Sequence, residues 1–109
     1  KKIYMKAIFI DAQKNEISYV ETTGEIAEIK NIISVKHITA FRPSSLCNDI
    51  VYVDDEGLIN GTPYGFEING VKAYGNGLIL GTNGEENCSI SEGEDVDDYQ
   101  IHFFILKKI

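Results

Sequence analysis

The chain reads as a single α+β domain, a mixed or antiparallel sheet with one helix packed on it. Three observations carry that reading. Several short segments alternate apolar and polar residues at a period of two, as strands do. One segment alone repeats isoleucine at three- and four-residue steps. At 109 residues there is room for one core and no second domain, so residues 1–109 are taken together.

Met5 to Asp11 is the first expected strand, with Met5, Ala7 and Phe9 on one face and Ile8 and Ile10 on the other. Apolar residues on both faces place it inside a sheet. Asp11 to Asn15 is polar and turn-like, and Glu16 to Glu21 returns as a second strand to make a hairpin. A helix follows over about Gly24 to Ser34. Thr23 is positioned to cap it, Glu25 and Glu28 suit the positive end of its dipole, and Ile26, Ile29, Ile32 and Ile33 form one apolar stripe. Such a stripe is core material. Val35 to Phe41 reads as a strand ended by Arg42 and Pro43. Asp49 to Val53 sets Ile50 and Tyr52 against Val51 and Val53, again a strand, and Asp54 to Gly57 is an acidic turn closed by glycine.

Nine of the ten glycines lie from Gly57 to Gly93. Glycine at that density carries an entropic cost, accepted where turns, positive φ or close backbone approach are needed. Within this half, Gly77 to Thr82 is a short apolar strand. Glu85 to Asp98 holds seven acids and no base, and reads as a solvated loop or a short acidic helix. Tyr99, Ile101, Phe103 and Ile105 then mark a closing strand with one strongly buried face.

Composition limits the function. The net charge is −7, from 17 acids against nine lysines and the single Arg42. Direct binding of a nucleic-acid backbone needs clustered Lys and Arg, which this chain lacks. No apolar run approaches the ~20 residues that span a bilayer. Lys1 and Lys2 precede only a short apolar stretch that carries Lys6 and Asp11, which does not read as a signal peptide, and Met5 is an alternative start. The expectation is a soluble, cytoplasmic protein. Cys47 and Cys88 stand 41 residues apart with no histidine nearby and read as incidental thiols. No metal site and no cofactor are expected.

Chemistry-bearing residues are few. His37 and His102 sit in expected strands without a nucleophile beside them, so catalytic residues are not assigned and an enzyme is the less favoured class. Asp54, Asp55 and Glu56 are consecutive and lack the alternate spacing of a calcium loop. Arg42 either pairs with one of the acids or holds a carboxylate or phosphate. Thr62, Tyr64, Phe66, Tyr74 and Asn76 lie among the glycines. Their aromatic rings either stack on a base, with glycine amides facing it, or fold back onto the sheet.

The segment Tyr52 to Phe66, followed by Gly75 to Gly81, resembles a family of small phage- and mobile-element-associated domains of unknown function. The matching positions are Glu56, Gly57, Gly61, Pro63, Gly75, Asn76, Leu78 and Gly81, and the resemblance covers Met5 to Asn83, leaving the acidic segment and terminal strand outside. It implies a setting, the host cell cytoplasm, where small acidic phage proteins act as stoichiometric antagonists. These include anti-CRISPR proteins and sponges for cyclic-nucleotide or ADP-ribose signals.

Two functions follow as expectations. The first is a non-enzymatic counter-defence protein that sequesters a small anionic or nucleotide-like ligand, as a homo-oligomer, through Arg42, Thr62, Tyr64, Phe66, Tyr74 and Asn76. The second is an inhibitor or adaptor that meets a basic host protein through Glu92, Glu94, Asp95, Asp97 and Asp98.

Overall fold

In the first hairpin, β1 (Met5–Asp11) and β2 (Glu16–Thr22) pair antiparallel from Met5 opposite Thr22 to Asp11 opposite Glu16. The structure is a computed structural model describing residues 3–43, 49–82, 87–90 and 99–106. The Asp11 carboxylate accepts the N–H groups of Gln13 and Lys14, both at 3.1 Å, and Asn15 takes the left-handed conformation at φ 56° that closes the turn.

Helix α1 (Ile26–Ile33) is shorter than its sequence suggests, and Thr23 is not its N-cap. Gly24 sits at φ +76°, outside the helical region, so the first helical residue moves to Ile26 and Glu25 becomes the cap. Thr23 still matters. Glu28 reaches back to accept its N–H at 2.8 Å and its hydroxyl at 3.3 Å, much as a capping box does. Ile29 and Ile33 are buried as the stripe requires, but Ile26, the first helical residue, is 50 % exposed.

The remaining strands are β3 (Ile38–Phe41), β4 (Asp49–Asp54), β5 (Tyr64–Ile68), β6 (Val71–Tyr74), β7 (Gly77–Thr82), β8 (Asn87–Cys88) and β9 (Ile101–Ile105). The α+β class holds, but the chain is rich in strands and forms two sheets rather than one. The larger runs β2-β1-β7-β4-β3, with β8 added against the end of β7; the smaller runs β6-β5-β9. Every pairing among the described residues is antiparallel.

Three layers result. On one side of the large sheet, Ala7, Tyr52, Leu78 and Leu80 pack against Ile29 and Ile33 of α1. On the other, Ile8, Ile10, Val51, Val53 and Ile79 meet Phe66, Ile68, Ala73 and Tyr99 of the small-sheet layer. This explains why β1, β4 and β7 are apolar on both faces: each lies between a helix and a second sheet.

The small sheet is the part that sequence reading did not resolve. β5 and β6 are joined by Asn69 (φ 48°) and Gly70 (φ 88°), the two positive-φ residues of a tight hairpin turn. Asn69 also anchors it: its side-chain oxygen accepts the N–H of Gln100 at 3.0 Å, and its amide donates to the carbonyl of Pro43 at 3.1 Å. β9 is the expected closing strand, yet its buried face fades along its length. Tyr99 is buried, Ile101 and Phe103 are half-buried, and Ile105 is 68 % exposed because it passes beyond the edge of the core.

No helix among the described residues is long and apolar enough to cross a membrane. Cys47 and the acidic residues Glu92, Glu94, Asp95, Asp97 and Asp98 lie outside the described residues.

Candidate functional site

The end of α1 turns sharply. Ser34 adopts φ 62°, and the N–H of Val35 closes on the carbonyl of Lys30 at 3.0 Å. That turn sends the chain into β3, which pairs with β4 so that Ile38 stands opposite Asp54. The N–H of Asp55 donates to the carbonyl of His37 at 3.1 Å and locks the two connections together. Beyond β4, Asp54 accepts the N–H of Glu56 at 2.9 Å, and Asn60 donates from its N–H to the carbonyl of Glu56 at 2.8 Å, which winds the chain into one compact turn.

Between the last turn of α1, the connection to β3 and this compact turn lies an open groove of ≈ 720 Å³. Its lining comes from Lys30, Asn31, Ser34, Val35, Lys36 and His37 of the helix end and the connection, and from Asp54, Glu56 and Asn60 of β4 and the compact turn. Its chemistry is polar and of both signs. Lys30 lies at the helix C-terminus, where the dipole favours a cation. Lys36 is exposed, and His37 Nε2 stands 3.3 Å from Glu56 Oε1. At 63 % and 42 % side-chain exposure, that contact is worth little to stability and is easily exchanged for a ligand. A groove with ammonium, imidazole, amide and carboxylate groups suits a ligand that offers both acceptors and donors.

The six ligand residues expected from sequence do not line this groove, and the structure does not gather them elsewhere. Arg42 is exposed just past β3. Thr62 is half-buried, its N–H donating to the carbonyl of Gly57 at 3.1 Å. Phe66 is a core residue at 0 % exposure and offers no face to a ligand. Tyr64 shares its side of β5 and packs at the margin of the same core. Tyr74 stands opposite Gly65 on the other face of the small sheet, where its ring meets Phe104 edge to face at 5.4 Å and 75°. Asn76 is occupied structurally, its side-chain oxygen accepting the N–H of Ala12 at 2.9 Å.

The glycine amides are likewise committed. The N–H of Gly75 donates to the carbonyl of Tyr64 at 2.8 Å. Gly65 and Gly77 serve close packing: a Cβ at Gly65 would lie 2.7 Å from Phe104 Cζ, and one at Gly77 would lie 2.5 Å from Phe66 Cζ.

His102 is exposed on β9, opposite Glu67. Cys88 is half-buried and unbonded to another cysteine. Among the described residues, no three His, Cys, Asp or Glu side chains converge as metal ligands would. Sequence reading missed Lys30, Lys36 and Asn60, and it met His37 without a neighbour. Their adjacency depends on the β3–β4 register, which no local pattern announces.

Comparison with curated proteins and with solved structures finds no significant match. A family model, described as Domain of unknown function (DUF3846), matches residues 5–103. That span includes the acidic segment and most of β9, which the resemblance drawn from sequence had left outside. With nearly its whole length matched, from the first residue of β1 into β9, the chain belongs to this family of domains of unknown function.

Proposed function

We propose that the protein is a non-enzymatic binding module that holds a small, nucleotide-like ligand in the groove at the C-terminal end of α1. The observation that carries this reading is the groove itself, where Lys30 and Lys36 line the same space as Asp54 and Glu56. Its volume of ≈ 720 Å³ has room for a small ligand, and its open, polar lining suits a charged ligand better than an apolar one. The two ammonium groups would take a phosphate, and the carboxylates and Asn60 would take the amino groups of a base. Each charge-assisted bond to phosphate contributes ~1.5–3 kcal/mol, so losing one lysine weakens binding about tenfold or more. The resemblance to phage- and mobile-element-associated domains supplies the setting in which stoichiometric capture of such a ligand is useful as counter-defence.

The test is a melting-temperature screen of the purified protein with cyclic dinucleotides, cyclic trinucleotides and ADP-ribose derivatives. A ligand at ~100 times its dissociation constant adds ~2.7 kcal/mol and raises the midpoint by several degrees. Lys30→Ala or Lys36→Ala alone should cut the shift to about half or less, and the double variant should nearly abolish it, while the unliganded midpoint stays close to wild type. A flat screen on folded protein sinks the ligand class. A shift that survives both substitutions removes the ligand from this groove.

A further inference from the structure

β9 is an outer strand of the small sheet, and among the described residues it pairs on one side only, with β5. Two bonds at its margins fix which residues face that partner. The N–H of Leu106 donates to the carbonyl of Pro63 at 2.6 Å, and the N–H of Asn69 donates to the carbonyl of Gln100 at 3.0 Å. In an antiparallel ladder this direction alternates residue by residue. Gln100, His102, Phe104 and Leu106 therefore turn their main-chain groups toward β5. Ile101, Phe103 and Ile105 turn theirs away from it.

Open edges invite pairing with other chains and are normally guarded by charge, proline, shortness or a covering segment. The other sheet margins show such guards. β2 carries Glu16 and Glu21, β3 is four residues long and runs into Arg42 and Pro43, and β6 carries Lys72. β9 reads Ile101, His102, Phe103, Phe104, Ile105, with no Lys, Arg, Asp, Glu, Pro or Gly. Ile105 is 68 % exposed and Leu106 is 48 % exposed.

We propose that β9 is a homodimer interface, to which β9 of a second copy adds antiparallel about a two-fold axis at Phe103. The edge is self-complementary in that register. Phe103 stands opposite its own counterpart and Ile101 opposite Ile105 of the other copy. All three are outward-turned residues, so each pair exchanges both of its main-chain bonds and none falls out of phase. On the side of the sheet that faces the core, Ile105 gains Ile101 of the other copy as a cross-strand neighbour, the kind of apolar pair that stabilises sheets. The two small sheets become one continuous sheet through an isologous contact.

The experiment is size-exclusion chromatography with light scattering on the full chain over a concentration series. The wild type should approach twice the 12.2 kDa chain mass at high concentration and dissociate on dilution. Ile105→Pro deletes one outward N–H and leaves the β5-facing groups of Phe104 and Leu106 in place, so it should halve the mass. Ile105→Lys should do the same through charge at the seam, and it carries the test if the proline variant loses its circular-dichroism signature. Val71→Lys, on the opposite margin of the small sheet, should leave the dimer intact. A wild type that stays monomeric throughout overturns the proposal. So do folded Ile105 variants that remain dimeric, or dissociation caused by Val71→Lys.

Discussion

Replacing Gly77 with alanine tests a close contact between the two sheets. The added Cβ would lie 2.5 Å from Phe66 Cζ and 2.8 Å from Cε1, where carbon atoms ordinarily meet at ~3.5–4.0 Å. About 1 Å of overlap must be relieved. The ring has no solvent to swing into, since Phe66 is wholly buried. Nor can β7 recede, because Gly77 is paired with Ile10 on one side and with Val53 on the other. Overpacking of this kind costs ~1–3 kcal/mol. Alanine returns ~0.4–1 kcal/mol by restricting the unfolded chain, so a net loss of about 1–2 kcal/mol is expected. For a domain of this size, that lowers the melting temperature by roughly 4 °C or more. Urea denaturation of Gly77→Ala, Phe66→Leu and the double variant gives the coupling directly. Leucine leaves room for the methyl group, so the double variant should be more stable than the sum of the two losses by ~1 kcal/mol. Strict additivity, or a Gly77→Ala variant within ~0.3 kcal/mol of wild type, would refute the packing argument.

Two further substitutions probe polar contacts that join separate elements. Asn69→Ala removes the bonds to Gln100 and Pro43 and places alanine at positive φ, so a loss of about 2 kcal/mol is expected in the same denaturation assay. Asn69→Gly keeps the turn but not the bonds, and should recover roughly half of that loss. Asn76→Ala deprives the half-buried contact to the Ala12 N–H and should cost about 1 kcal/mol, while amide exchange at Ala12 accelerates relative to Ile10.

The strands that the sequence made legible are those whose environment repeats every two residues. β1, β4 and β7 alternate between an α1-facing set and a small-sheet-facing set, and both sets are apolar, which is why all three read as strands and why the interior position of β1 was readable from sequence. The β5–β6 hairpin was legible in principle, because Asn69-Gly70 between alternating segments is a strong turn signal. The density of glycines points as readily to amides that face a ligand. In the structure Gly65 and Gly77 yield space to Phe104 and Phe66, a packing role that becomes visible only when strands distant in sequence are brought face to face. The groove was illegible for the same reason. Lys30 and Lys36 look like ordinary surface lysines until the β3–β4 register carries Asp54 and Glu56 to them.

The position of β7 also governs when the protein can fold. It pairs with β1 across some seventy residues of chain, as Ile8 with Ile79, and with β4 on its other side. Closing a loop of that length costs entropy before any contact repays it, and folds dominated by such pairings form slowly. During synthesis, the β1–β2 hairpin and α1 emerge with Ile29, Ile33 and Ala7 exposed to solvent, and their covering residues Leu78 and Leu80 arrive only late. The nascent chain therefore carries an uncovered apolar surface until β7 has emerged.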